Sequence, residues 1–100
     1  MNILARLDDE WRHARIVYRI HDRIIELQGQ FDRADLPVNR AVFAMQIAGR
    51  QESQADHLAA SWLARAVTAL PSPDVLRDDA RRWNALSDEL FAEAAKGANR

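Results

Sequence analysis

Apolar residues recur along this chain at spacings of three and four, not two, so every element is predicted to be a helix. Gly29, Pro37, Gly49, Pro71, Pro73 and Gly97 punctuate the pattern. The first helix is expected over 3–28, with Asn2 as its cap and Gly29 as its stop. Leu4, Leu7, Trp11, Ala14, Tyr18 and Ile25 form one apolar stripe on it, and Val17, Ile20, Ile24 and Leu27 form a second beside it. At 100° per residue the two stripes span roughly 200° of surface, about twice what one side of a core requires. This helix is therefore either central to a bundle or partly covered by another chain.

Pro37 opens a second helix over 37–49, with Asp35 just upstream to cap it. Ser53 and Asp56 mark a fresh start, giving a third helix over 54–70. A single helix kinked near Gly49 is the alternative, because one glycine costs only about 1 kcal/mol. Ser72 and Pro73 begin a fourth helix over 73–96, and Ala98, Asn99 and Arg100 are expected as a frayed tail. The predicted fold is all-α, a small four-helix bundle or irregular helical domain filling 1–100 as one unit.

Composition narrows the function classes. A length of 100 residues suits one core. With 48% hydrophobic and 29% charged residues, disorder does not describe the whole chain. The net charge of −1 argues against a strongly basic nucleic-acid protein. The absence of cysteine excludes disulfides, thiolate chemistry and Cys-type metal sites. No apolar run approaches the roughly 18 residues of a membrane span. The opening residues meet charge at Arg6, Asp8 and Asp9 before a signal-peptide core can form, so a cytoplasmic location and no membrane partner are expected.

Few residues suggest chemistry. Glu10 and His13 have the Glu-x-x-His spacing of di-iron bundles, but the second copy is missing, since Gln54 stands where His57 would need a carboxylate. No metal, cofactor or catalytic residue is therefore expected. Ser53, Ser61, Ser72 and Ser87 lie in no nucleophile turn, and the His57–Ser61 pair lacks an oxyanion device. Glu10, His13 and His21 fall within the wide apolar arc, so they form either a satisfied polar cluster, for instance Glu10 with an arginine of the fourth helix, or a contact site. A helix-turn-helix about Gly49 is disfavoured, because Glu52 and Asp56 would face phosphates. Trp11, Trp62 and Trp83 are each in phase with an apolar stripe and are expected to share an aromatic core.

Arg12, Arg15, Arg19 and Arg23 line the opposite face of the first helix, interspersed with Asp8, Asp22 and Glu26. An apolar surplus rimmed by arginine matches interface anatomy. The expectation is a non-catalytic protein that binds a protein partner through Arg12, Arg15, Tyr18, Arg19, Arg23 and Ile24, as an inhibitor, regulator or adaptor. By analogy with short motif-free helical chains of bacteria and phages, an anti-CRISPR or anti-activator is one concrete form. A homodimer through the first helix is compatible with it. The alternative is a nucleic-acid-binding accessory subunit that uses the arginine row.

Overall fold

The computed structural model describes residues 2–98. It contains α1 (Ile3–Arg33), α2 (Pro37–Ala60), α3 (Trp62–Thr68) and α4 (Pro73–Ala98), with no strand among the described residues. The fold is all-α, as the spacing predicted. Met1, and Asn99 and Arg100 of the expected tail, lie outside the described residues. Asn2 caps α1, its Oδ1 accepting the Leu4 N–H at 2.9 Å, and Ser72 accepts the Val75 N–H at 3.3 Å at the start of α4.

Three boundaries differ from expectation, each for a packing reason. α1 continues through Gly29 to Arg33, because Phe31 is buried. Burying such a side chain stabilises by about 1.5–3 kcal/mol, more than the roughly 1 kcal/mol a helical glycine costs. Gly49 does not divide the second helix either: Ile47, Ala48, Gln51, Gln54, Ala55 and Leu58 are buried on one face across it. The break falls instead at Ser61, whose backbone is extended. The predicted 54–70 helix is thereby corrected to a short α3, and Ser53 is mid-helix. Ala69 ends α3 in the left-handed region, at φ 53°.

α2 is the central element. Its Gln54 amide donates to the Val17 carbonyl at 3.4 Å and its Ser61 end meets Glu10, so α1 runs antiparallel to it. Gln51 donates to Asp79 at 2.6 Å and the Ser87 hydroxyl donates to the Ala41 carbonyl at 2.8 Å, so α4 runs antiparallel to it as well. No Cα of α1 comes within 8 Å of a Cα of α4. The wedge between them is filled by side chains, chiefly the Phe31 ring set edge-on to Trp83 at 5.2 Å. Ala41, Ala44, Gln51, Ala48, Ala55 and Leu58 form a three-four repeat along α2, and all are buried. The alanines let both neighbours approach closely, while Ile20, Ile24, Leu27, Phe31 and Leu90 supply the bulk. The result is elongated, 63 × 21 × 20 Å.

The expected three-tryptophan core is not formed. Trp83 is half-buried against Phe31, whereas Trp11 and Trp62 are exposed. The stripe of α1 that faces α2 is the one with Val17, Ile20, Ile24 and Leu27, which turns Trp11 outward.

These placements have measurable consequences. Glycine sits where the chain is helical and alanine where it is left-handed. A Cβ at Gly49 would meet nothing within 4 Å. Gly49→Ala should therefore stabilise by about 0.5–1 kcal/mol, and Ala69→Gly by up to about 1 kcal/mol, in urea denaturation. Ala44→Leu should destabilise by about 1–3 kcal/mol in the same measurement, because the α2 face has no room for it.

Candidate functional site

The surface of α1 carries the main irregularity of the molecule. Leu4, Trp11, Tyr18 and Ile25 repeat every seven residues and are 68%, 45%, 47% and 55% exposed. They form a ridge roughly 150° round the helix from the core residues, at 100° per residue. Leu7 lies beside the ridge at 37% exposure. Ser61, at the end of α2, is level with Glu10, so α1 projects past α2 from Asp9 to Ile3 by about 10 Å. Trp62 of α3 borders this projection, and together with Ile3, Arg6, Leu7 and Glu10 it lines a shallow hollow of about 200 Å³.

α3 is held against α1 by polar contacts. The Ser61 hydroxyl donates to Glu10 Oε2 at 2.5 Å and accepts the Ala64 N–H at 3.0 Å, capping α3. The same carboxylate oxygen accepts the Leu63 N–H at 3.3 Å, so a negative charge sits at the positive end of a helix. The Ser61 hydrogen bond holds the Glu10 carboxyl below the usual carboxylate range. Desolvation opposes this, and the Leu63 N–H and the charges of His13 and Arg65 add to it. Glu10 is thus satisfied by Ser61 and α3, not by an arginine of α4. Arg65 donates to the Leu58 and Ala59 carbonyls at 2.6 and 3.0 Å, closing the C-terminal end of α2. The Tyr18 hydroxyl donates to the Val67 carbonyl at 2.9 Å, which fixes its ring on the ridge.

His13 and His57 face each other across α1 and α2, Nδ1 to Nδ1 at 2.8 Å. One nitrogen must carry hydrogen and the other must be bare, so the contact resists double protonation. Burial, then the charge of His13, lowers the affinity of His57 for a proton; Asp56 raises it and Arg12 lowers it. Asp9 Oδ2 lies 3.7 Å from the other nitrogen of His13. Glu10 and His13 therefore have different partners despite their spacing. His21 is half-buried and takes no part in the cluster. Ser61 and His57 likewise engage other groups, Glu10 and His13 respectively. Among the described residues no three His, Cys, Asp or Glu side chains converge as a metal-holding group. No described helix is long and apolar enough to cross a membrane.

The structure divides the six residues singled out from the sequence. Tyr18 is on the ridge. Ile24 is not: it is 5% exposed and belongs to the core, and its neighbour Ile25 takes the surface place. Arg12 is held by Asp9 at 2.7 Å and Arg23 by Glu26 at 3.0 Å. Arg15 and Arg19 are exposed and have no ion-pair partner among the described residues. The row thus offers two free cations rather than four. Leu4, Trp11, Ile25 and Trp62 were absent from the predicted contact set. The seven-residue repeat was the signal for the first three. Nothing in the sequence alone places Trp62 beside α1.

The histidine contact predicts a pH dependence. Unfolded His57 takes up a proton near its ordinary value of 6.5, whereas folded His57 does so only at lower pH. Its contribution to stability should be fully present above about pH 6.5 and fall away as pH drops through the folded value. Glu10, ordinarily near 4.5, should add a second decline below that pH by the same sign. Urea midpoints between pH 8 and 5 should show the first decline, and His57→Gln should flatten it.

Comparison with protein-family models, with curated proteins and with solved structures finds no match to this chain.

Proposed function

We propose that this is a non-catalytic binding protein whose working surface is the α1 ridge, and that it acts as an inhibitor, regulator or adaptor by docking an apolar helical face of a protein chain. The observation that carries this reading is the exposure of Leu4, Trp11, Tyr18 and Ile25 at seven-residue spacing, beside Leu7 and Trp62. Apolar side chains aligned over three helical turns or more are expensive to leave in water and mark interaction surfaces. A seven-residue repeat drifts slowly around a straight helix and follows a left-handed supercoil, so the shape that fits it is another helix. Trp11, Tyr18 and Trp62 are of the residue types that dominate binding energy. Arg15 and Arg19 add a polar rim.

The nucleic-acid reading is weaker, because Arg12 and Arg23 are committed to Asp9 and Glu26 and because Asp8 and Asp22 interrupt the row. The two readings separate on mutation. With the tagged protein used for capture from the cells that make it, Tyr18→Asp or Trp11→Ala should reduce recovery of the bound protein at least ~30-fold, on the scale of a hot-spot residue. Arg15→Ala with Arg19→Ala should reduce recovery less than either ridge variant does, because rim ion pairs contribute less than buried aromatic anchors. Capture that survives both ridge variants would overturn the proposal. Retardation of oligonucleotides with a steep salt dependence, lost in the arginine double variant, would favour nucleic acid instead.

A further inference from the structure

The ridge also has a charge pattern, and that pattern is self-complementary. Asp8, Arg15 and Asp22 follow one flank of it at seven-residue spacing, with signs that alternate along the helix. All three are exposed, and none has an ion-pair partner among the described residues, although Asp9 with Arg12 and Arg23 with Glu26 pair within the same helix. Three charges stand free along the edge of an uncovered apolar ridge.

We infer that the occupant of the α1 ridge is a second copy of this chain, with the two α1 helices antiparallel about a two-fold axis at Trp11. This rests on the reading of the ridge as a docking surface, and it names the partner. Leu4 and Tyr18 are each seven residues from Trp11. A two-fold axis there sets Trp11 against Trp11 of the second copy and Leu4 against Tyr18, twice over. Asp8 lies three residues before Trp11 and Arg15 four after it, on the same flank. In an antiparallel pair that flank meets its own copy, so each Asp8 comes opposite an Arg15. A parallel pair would place Asp8 and Arg15 on opposite flanks, out of reach of one another.

Charge and the exposure at the start of α1 favour this register, which leaves only Ile25 of the ridge beyond the second copy's α1. The most exposed apolar residues of α1, Ile3 and Leu4, lie on the stretch that projects beyond α2, and an axis at Trp11 brings the second copy over it. Moving the axis one repeat along, to Tyr18, would still pair Arg15 with Asp22 but would set Leu4 against the charged Asp32 of the second copy instead of Tyr18. α3 flanks the ridge on the side away from the charges, and its exposed Trp62 extends the apolar surface there.

Sedimentation of the full chain tests the inference. At about 100 μM, which populates any pairing with a tighter Kd, the protein should sediment as a dimer. Trp11→Asp should sediment as a monomer while keeping its helical circular dichroism, because Trp11 is exposed and lies outside both core clusters. Arg15→Asp removes two cross-chain pairs and should weaken dimerisation roughly 2- to 30-fold. Asp8→Arg combined with Arg15→Asp restores opposite charges across the axis and should return the Kd to within about threefold of the starting value. A monomer at that concentration, a dimer that survives Trp11→Asp, or a double variant no tighter than Arg15→Asp alone would each overturn the inference. A monomeric wild-type chain would remove the second copy as occupant yet leave the docking reading standing. That reading fails on its own measurement, when capture of a partner survives both Tyr18→Asp and Trp11→Ala.

Discussion

The structure depends on the narrow, small-residue face of α2. Ala41, Ala44, Ala48 and Ala55 present almost no side chain, so the backbones of α1 and α4 can both approach that helix closely. Close approach on two sides explains why α2 is buried over such a wide arc and why α1 and α4 are joined to each other only by large side chains such as Phe31 and Trp83. Interiors are close-packed, so bulk missing from α2 must come from its neighbours. Ile20, Ile24, Leu27 and Leu90 provide it. Gln51, Gln54 and Ser87 then fix the register, because a slip of either neighbour would leave buried polar groups without their partners.

The uncovered ridge follows from the same arrangement. A helix of 31 residues beside one of 24 cannot be covered along its whole length. With α4 on another side of α2, only α3 is left to cover the flank of α1. α3 is seven residues long, and Ser61 and Glu10 hold it over one part of that flank. Glu10 therefore has a structural role that follows from chain direction: it receives the hydroxyl of Ser61 and the Leu63 N–H at a helix start. The exposed apolar surface and the Glu10 contact share one cause, the sharp reversal at Ser61.

Much of the architecture was legible in the sequence. Three- and four-residue spacing gave helices throughout, and Asn2, Pro37, Ser72 and Pro73 marked real starts. The two apolar stripes of α1 were also legible, as was the conclusion that one small domain would strain to cover both. Gly29 and Gly49 misled, because the penalty of a helical glycine is small against the burial of Phe31, Ala55 and Leu58 on the far sides. The exposed face of α1 was legible in part. Tyr18 and the free cations Arg15 and Arg19 came from periodicity, while Ile24 was placed outside when it is inside.

Periodicity by itself determined that α1 has two apolar faces, since that depends only on which residues recur at helical spacing. Which face turns inward was decided only by tertiary structure. The stripe of β-branched and leucine side chains packs against the alanines of α2, and the stripe carrying Trp11 and Tyr18 stays on the surface. The meeting of His13 with His57, and of Glu10 with Ser61, likewise joins residues more than forty positions apart. Spacing along a chain carries no information about such pairs until packing has set how its helices lie side by side.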